Sequence, residues 1–118
     1  MRLLVCGSRV WTDQARLIQV LDEIHALKPI TCLIEGEARG ADKMARQWAI
    51  ANKVPVEAYP ADWAALPQAA GLVRNTKMLM EGKPDLVVAF SKDLTQSPGT
   101  SNMIAQARRA GVEVLTYD

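Results

Sequence analysis

Five short apolar runs, Leu3–Cys6, Thr31–Glu35, Val54–Tyr59, Leu86–Phe90 and Val112–Tyr117, alternate with four helix-like stretches along the chain. The first, second and fourth runs are nearly unbroken apolar segments, which suits strands covered on both faces. Covering both faces of a sheet requires helices on each side. The alternation therefore predicts an α/β fold, a Rossmann-like three-layer domain with a five-stranded parallel sheet. Two strand orders suit such a sheet, 3-2-1-4-5 and 2-1-3-4-5. The first is preferred, and it sets strands one and four side by side where the order reverses. At 118 residues, division would leave two pieces too small to bury a core, so 1–118 reads as a single domain.

The helical stretches show the matching periodicity. Leu17, Val20, Leu21, Ile24 and Leu27 fall on one face of the first, with Thr12 or Asp13 placed to cap its start. Ala41, Ala45, Trp48 and Ala49 make a narrow stripe on the second, where small side chains permit close approach to a sheet. The third is expected over Gln68–Glu81 and the fourth over Ser101–Ala110. Lys28-Pro29, Lys53-Val54-Pro55, Lys83-Pro84 and Arg109-Ala110-Gly111 each place a cation near a helix end and then a breaker. Cys6 and Cys32 lie inside strand runs and read as buried thiols. The lone His25, late in the first helix, reads as a surface or partly packed residue.

Net charge is +1. That balance disfavours a broad nucleic-acid or membrane surface while leaving room for a local basic pocket. No apolar run approaches the ~20 residues that span a bilayer, and the amino-terminal run reaches Gly7-Ser8-Arg9 too soon for a secretory signal. A cytoplasmic location is expected. No metal-ligand constellation stands out. Neither a full Gly-x-Gly-x-x-Gly fingerprint nor a P-loop is present, so no cofactor is expected.

Ligands of open parallel sheets bind outside the carboxyl ends of the strands, at the reversal of strand order. The polar residues collect in those loops. Gly7-Ser8-Arg9 follows strand one, and Gly36-Glu37-Ala38-Arg39-Gly40-Ala41-Asp42 follows strand two. Asp62 and Trp63 follow strand three, with Arg74 and Asn75 on the helix beyond. Ser97-Pro98-Gly99-Thr100-Ser101-Asn102 follows strand four. Gly99 gives sharp turning or close approach to a ligand. The helix behind it offers free N–H groups to a phosphate, with Thr100 and Ser101 adding hydroxyls. An N-cap and turn would use the same residue types. Arg9, Arg39 and Arg74 suit an anion. Asp62 and Asn75 suit a sugar and Trp63 a base, although Trp63 would equally cover a sheet edge. Asp42 answers equally to stabilisation of a helix start.

Taken in order, Gly7-Ser8-Arg9, Gly36 to Asp42, Tyr59-Pro60-Ala61-Asp62-Trp63, Gly71 to Arg74-Asn75, and Gly99 to Asn102 resemble the YspA-like family of the SLOG superfamily. That superfamily also holds the lonely-guy and Smf/DprA-type proteins. The resemblance implies a Rossmann-like domain, found in bacteria and phages, that binds a nucleotide or a nucleotide-derived small molecule. It also implies self-association as a homodimer or higher homo-oligomer. Lonely-guy enzymes carry Gly-Gly-x-Gly-Thr-x-x-Glu; here Ser97-Pro98 precedes Gly99-Thr100 and Met103 replaces the glutamate. A binding or sensing role is therefore the leading expectation. Nucleotide N-glycosidase (phosphoribohydrolase) activity is the alternative, with Glu37 or Asp62 as candidate catalytic carboxylates, and a DNA-associated Smf/DprA-like role is the second alternative.

Overall fold

In the computed structural model, which describes residues 1–118, the elements alternate as the sequence predicts. They run β1 (Arg2–Gly7), α1 (Gln14–Leu27), β2 (Cys32–Glu35), α2 (Ala41–Ala51), β3 (Val56–Ala58), α3 (Ala70–Gly82), β4 (Leu86–Phe90), α4 (Pro98–Arg109) and β5 (Glu113–Tyr117). A short 3-10 turn at Leu94–Gln96 precedes α4. All strand pairs are parallel, in the order β3-β2-β1-β4-β5.

The pleat of β1 builds two cores. Leu3 and Val5 point to the α1/α2 side, where they join Trp11, Leu17, Leu21, Trp48 and Phe90. Leu4 and Cys6 point to the α3/α4 side, with Ile34, Met78, Val87 and Met103. This is why apolar residues follow one another without alternation. Alanines 41, 45 and 49 are wholly buried, so α2 lies close on the sheet. The Trp48 indole N–H donates to Asp22 at 2.8 Å and ties α2 to α1. Asp22, although exposed, thus has a partner.

Local chemistry fixes the element ends. Asp13, rather than Thr12, caps α1 by accepting from the Arg16 N–H at 2.9 Å. His25 is half-buried and accepts from the Ile30 N–H at 2.9 Å, closing the turn into β2.

Several boundaries differ from the sequence reading, among them α3, which starts at Ala70 rather than Gln68, and two have a clear local cause. The third strand is Val56–Ala58 rather than Val54–Tyr59. Val54 spends its N–H on Ala49 at the end of α2, and Pro55 has none to give the ladder. The fourth helix begins at Pro98, three residues before the expected Ser101. Proline at the first helical position lacks an N–H that would be unpaired there in any case. Gly99 therefore lies inside the first helical turn, not in a sharp loop.

Candidate functional site

At the switch point β1 is flanked by β2 on one side and β4 on the other. The loops leaving β1 and β4 diverge there, and α3 closes the third side. Between them lies a cleft of about 570 Å³, within the range of small-ligand sites. Its walls carry Gly7, Ser8, Arg9, Asp42, Trp63, Arg74, Asn75, Gly99 and Thr100 from the sequence-derived set. A smaller cleft of about 260 Å³ adjoins it, lined by Gly36, Glu37 and Arg39. Arg9, Trp63, Arg74 and Ala38 face both.

Four of the expected site residues lie outside both clefts. Gly40 has φ +73° and starts α2. Asp62 is exposed, and its carboxylate accepts from the Ala65 N–H at 3.0 Å, holding a turn. The Ser101 hydroxyl donates to the Leu94 carbonyl at 2.8 Å. Asn102 accepts from Asn75 at 3.2 Å and from Gln106 at 2.8 Å. Glu37, in the smaller cleft, is bound by Arg46 at 2.7 Å. Met103, where the lonely-guy pattern has glutamate, is fully buried in the α3/α4 core and does not line either cleft.

The tip of α4 is left open by its own sequence. Ser97 stands at the N-cap, but its side chain makes no capping bond. Its hydroxyl is paired with that of Ser91 at 3.1 Å, both buried at the end of β4. Pro98 has no N–H, and the Gly99 and Thr100 N–H groups precede the first intrahelical bond. Those groups and the positive end of the helix dipole face the cleft.

Asn75 joins this tip to α3. Its amide donates to the Gly99 carbonyl at 3.0 Å, and its carbonyl accepts from Arg74 Nε at 3.0 Å. Arg74 Nη1 donates to the Gly36 carbonyl at 2.6 Å. Gly36 is what makes the approach possible, because a Cβ there would meet Nη1 at 2.4 Å. Arg74 is thus held by the Gly36 carbonyl and by Asn75, its neighbour on α3, yet it has no carboxylate in contact. The ion pairs of the fold are Arg2–Glu57, Arg46 with Glu35 and Glu37, and Lys77–Glu81. Burial lowers the Arg74 pKa; the charge of Asp42 across the cleft opposes that shift, and Arg9 nearby adds to it. Arg9 itself lies over the Trp63 ring, 5.2 Å from its centroid.

Asp42 is the one carboxylate lining the larger cleft. It accepts from the Gly36 and Ala38 N–H groups at 3.1 and 3.2 Å. Burial nevertheless raises its pKa from 3.8 to about 6. Between those two values the folded chain keeps a proton that the unfolded chain has lost, so the Asp42 contribution to stability falls as pH rises through that window. We expect the advantage of Asp42→Asn over the wild type in urea unfolding to grow by roughly 1–3 kcal/mol from pH 4 to pH 7. A difference that does not change with pH contradicts this assignment. Cys6 also lines the cleft, but burial pushes its thiol up and keeps it protonated.

Several wall residues carry no sequence signal. Gln68, Leu72 and Met78 on or before α3, and Gln96 before α4, face the larger cleft. Only the packing of α3 beside α4 brings them there.

The fold and cleft define a Rossmann-like α/β domain with a crevice at the switch point. The sequence profile of the YspA, cpYpsA-related SLOG family matches residues 1–65. The Gene 61 protein of Mycobacterium phage D29 is 35% identical over 122 residues, covering 98% of this chain and 95% of that protein. The chain belongs to the YspA, cpYpsA-related SLOG family. No solved structure is matched. No helix is long and apolar enough to cross a membrane.

Proposed function

We propose that the chain binds a nucleotide or nucleotide-derived small ligand in the larger cleft, its phosphate held at the tip of α4. The reading rests chiefly on Arg74, a half-buried cation with no carboxylate in contact and a second arginine beside it. Two like charges held together at the mouth of a cleft are stabilised by an anion between them. The free N–H groups of Gly99 and Thr100 favour the same charge. Arg74, with its planar fork, suits phosphate oxygens, and Trp63 offers an aromatic face to a base. SLOG membership points to a nucleotide-related role.

A ligand at about 100 times its Kd adds ~3 kcal/mol of stability, worth roughly 10 °C in Tm for a chain of this size. A thermal-shift panel of nucleoside mono- and diphosphates, ADP-ribose and cyclic nucleotides is expected to contain such a ligand. A melting temperature unmoved by every member contradicts the proposal. The N-glycosidase alternative has one carboxylate in the cleft to work with, Asp42. Free base released from a nucleoside monophosphate, and lost in Asp42→Asn, would favour that alternative.

A further inference from the structure

The two clefts share a wall, and that wall is cationic. Arg9 and Arg74 face both spaces, while Arg39 faces only the smaller one. None of these three takes part in an ion pair of the fold. The single acid lining the smaller cleft, Glu37, is already bound by Arg46. The smaller cleft thus has three guanidinium groups and no free carboxylate. Its other walls are Gly36, Ala38, Pro60, Ala61 and Trp63, which bring no charge.

A single phosphate at the tip of α4 leaves this arrangement unexplained. Arg39 is on the loop after β2, whereas α4 follows β4, and Arg39 does not line the larger cleft. Arg74 and Arg9 stand between the two spaces. An anion beside Arg39 would share Arg9 and Arg74 with the phosphate in the larger cleft.

We infer that the smaller cleft is a second anion subsite, and that the ligand carries two separate anionic groups. One group would lie at the tip of α4 and the other among Arg9, Arg39 and Arg74. The chemical class is a nucleoside phosphorylated at two positions, with the sugar passing beside Trp63. This inference rests on the nucleotide-binding reading of the larger cleft.

The test is calorimetric titration of the full chain with 5′-monophosphates of the common nucleosides and with the corresponding 3′,5′-bisphosphates. A charge-assisted contact to a second phosphate contributes ~1.5–3 kcal/mol, so a bisphosphate should bind at least about tenfold more tightly than its monophosphate. Arg39→Gln is expected to bring that ratio close to one, and Arg39→Lys to restore part of it. Monophosphate binding with no gain for any bisphosphate overturns the second subsite alone. So does a gain that survives Arg39→Gln. No binding of either series overturns the second subsite together with the nucleotide reading beneath it.

Discussion

Gly7→Ala is expected to destabilise the fold by ~3 kcal/mol, the upper end for forcing extra volume into a packed site. A Cβ at Gly7 would meet the Phe90 carbonyl oxygen at 2.4 Å and the Ala41 Cβ at 2.6 Å. Neither obstacle is the tip of a flexible side chain. The Phe90 carbonyl accepts the Ser8 N–H at 2.8 Å, and Ala41 is wholly buried at the start of α2. Relief would require separating β1 from β4 or lifting α2 from the sheet, and either movement opens the crevice. Gly99→Ala is the matched control. Its new Cβ meets nothing within 4 Å, and alanine favours a helix, so its stability should lie within about 1 kcal/mol of the wild type. Chemical denaturation of the two variants checks the pair. Equal stabilities would contradict the close packing at Gly7.

Arg74→Met is expected to separate binding from stability. Methionine replaces the length of the side chain while removing its charge. The fold loses the bonds to Gly36 and Asn75, and it no longer carries a desolvated cation next to Arg9. These effects oppose each other, so the stability change should be small, about 1 kcal/mol or less. Ligand affinity should fall about 100-fold, because the ligand loses a charge-assisted partner that makes no direct ion pair within the protein. Calorimetry with any nucleotide found by thermal shift gives the affinity, and urea unfolding gives the stability. A large loss of stability with affinity retained would make Arg74 a structural residue and remove the main support for an anion site.

Most of the architecture was legible because the sheet is buried on both faces. Leu3 to Cys6 and Leu86 to Phe90 are apolar at every position, and only a doubly covered strand calls for that. The strand order was one of two that suit a five-stranded parallel sheet, and the observed order is the preferred one. The edge strand was harder to delimit. Val54 and Pro55 resemble strand residues in composition, but the backbone N–H of one is used elsewhere and the other has none. The start of α4 was placed three residues late, at Ser101, although Pro98 favours a first helical position over a loop.

The site was legible at the strand ends and helix tips, and on α3 at Arg74 and Asn75, but not at Gln68, Leu72 and Met78. Gly7, Arg9 and Thr100 are fixed near the cleft by topology alone. The direction of a side chain within a loop is a local matter, and there the sequence reading was less informative. Asp62 holds a turn and Ser101 answers a carbonyl behind it. Aspartate ahead of a turn is itself a recognisable signal for such a bond. Gln68, Leu72 and Met78 reach the cleft through the packing of α3 beside α4, which no local pattern encodes.

The central claim is that the tip of α4 and Arg74 together hold a phosphate. Amide chemical-shift mapping of the isotopically labelled chain during titration with a nucleoside 5′-monophosphate tests it most directly. The largest shifts are predicted at the Gly99 and Thr100 amides and at the Arg74 side chain, saturating together. Saturable shifts confined to other surfaces, with Gly99 and Thr100 unmoved, would contradict it.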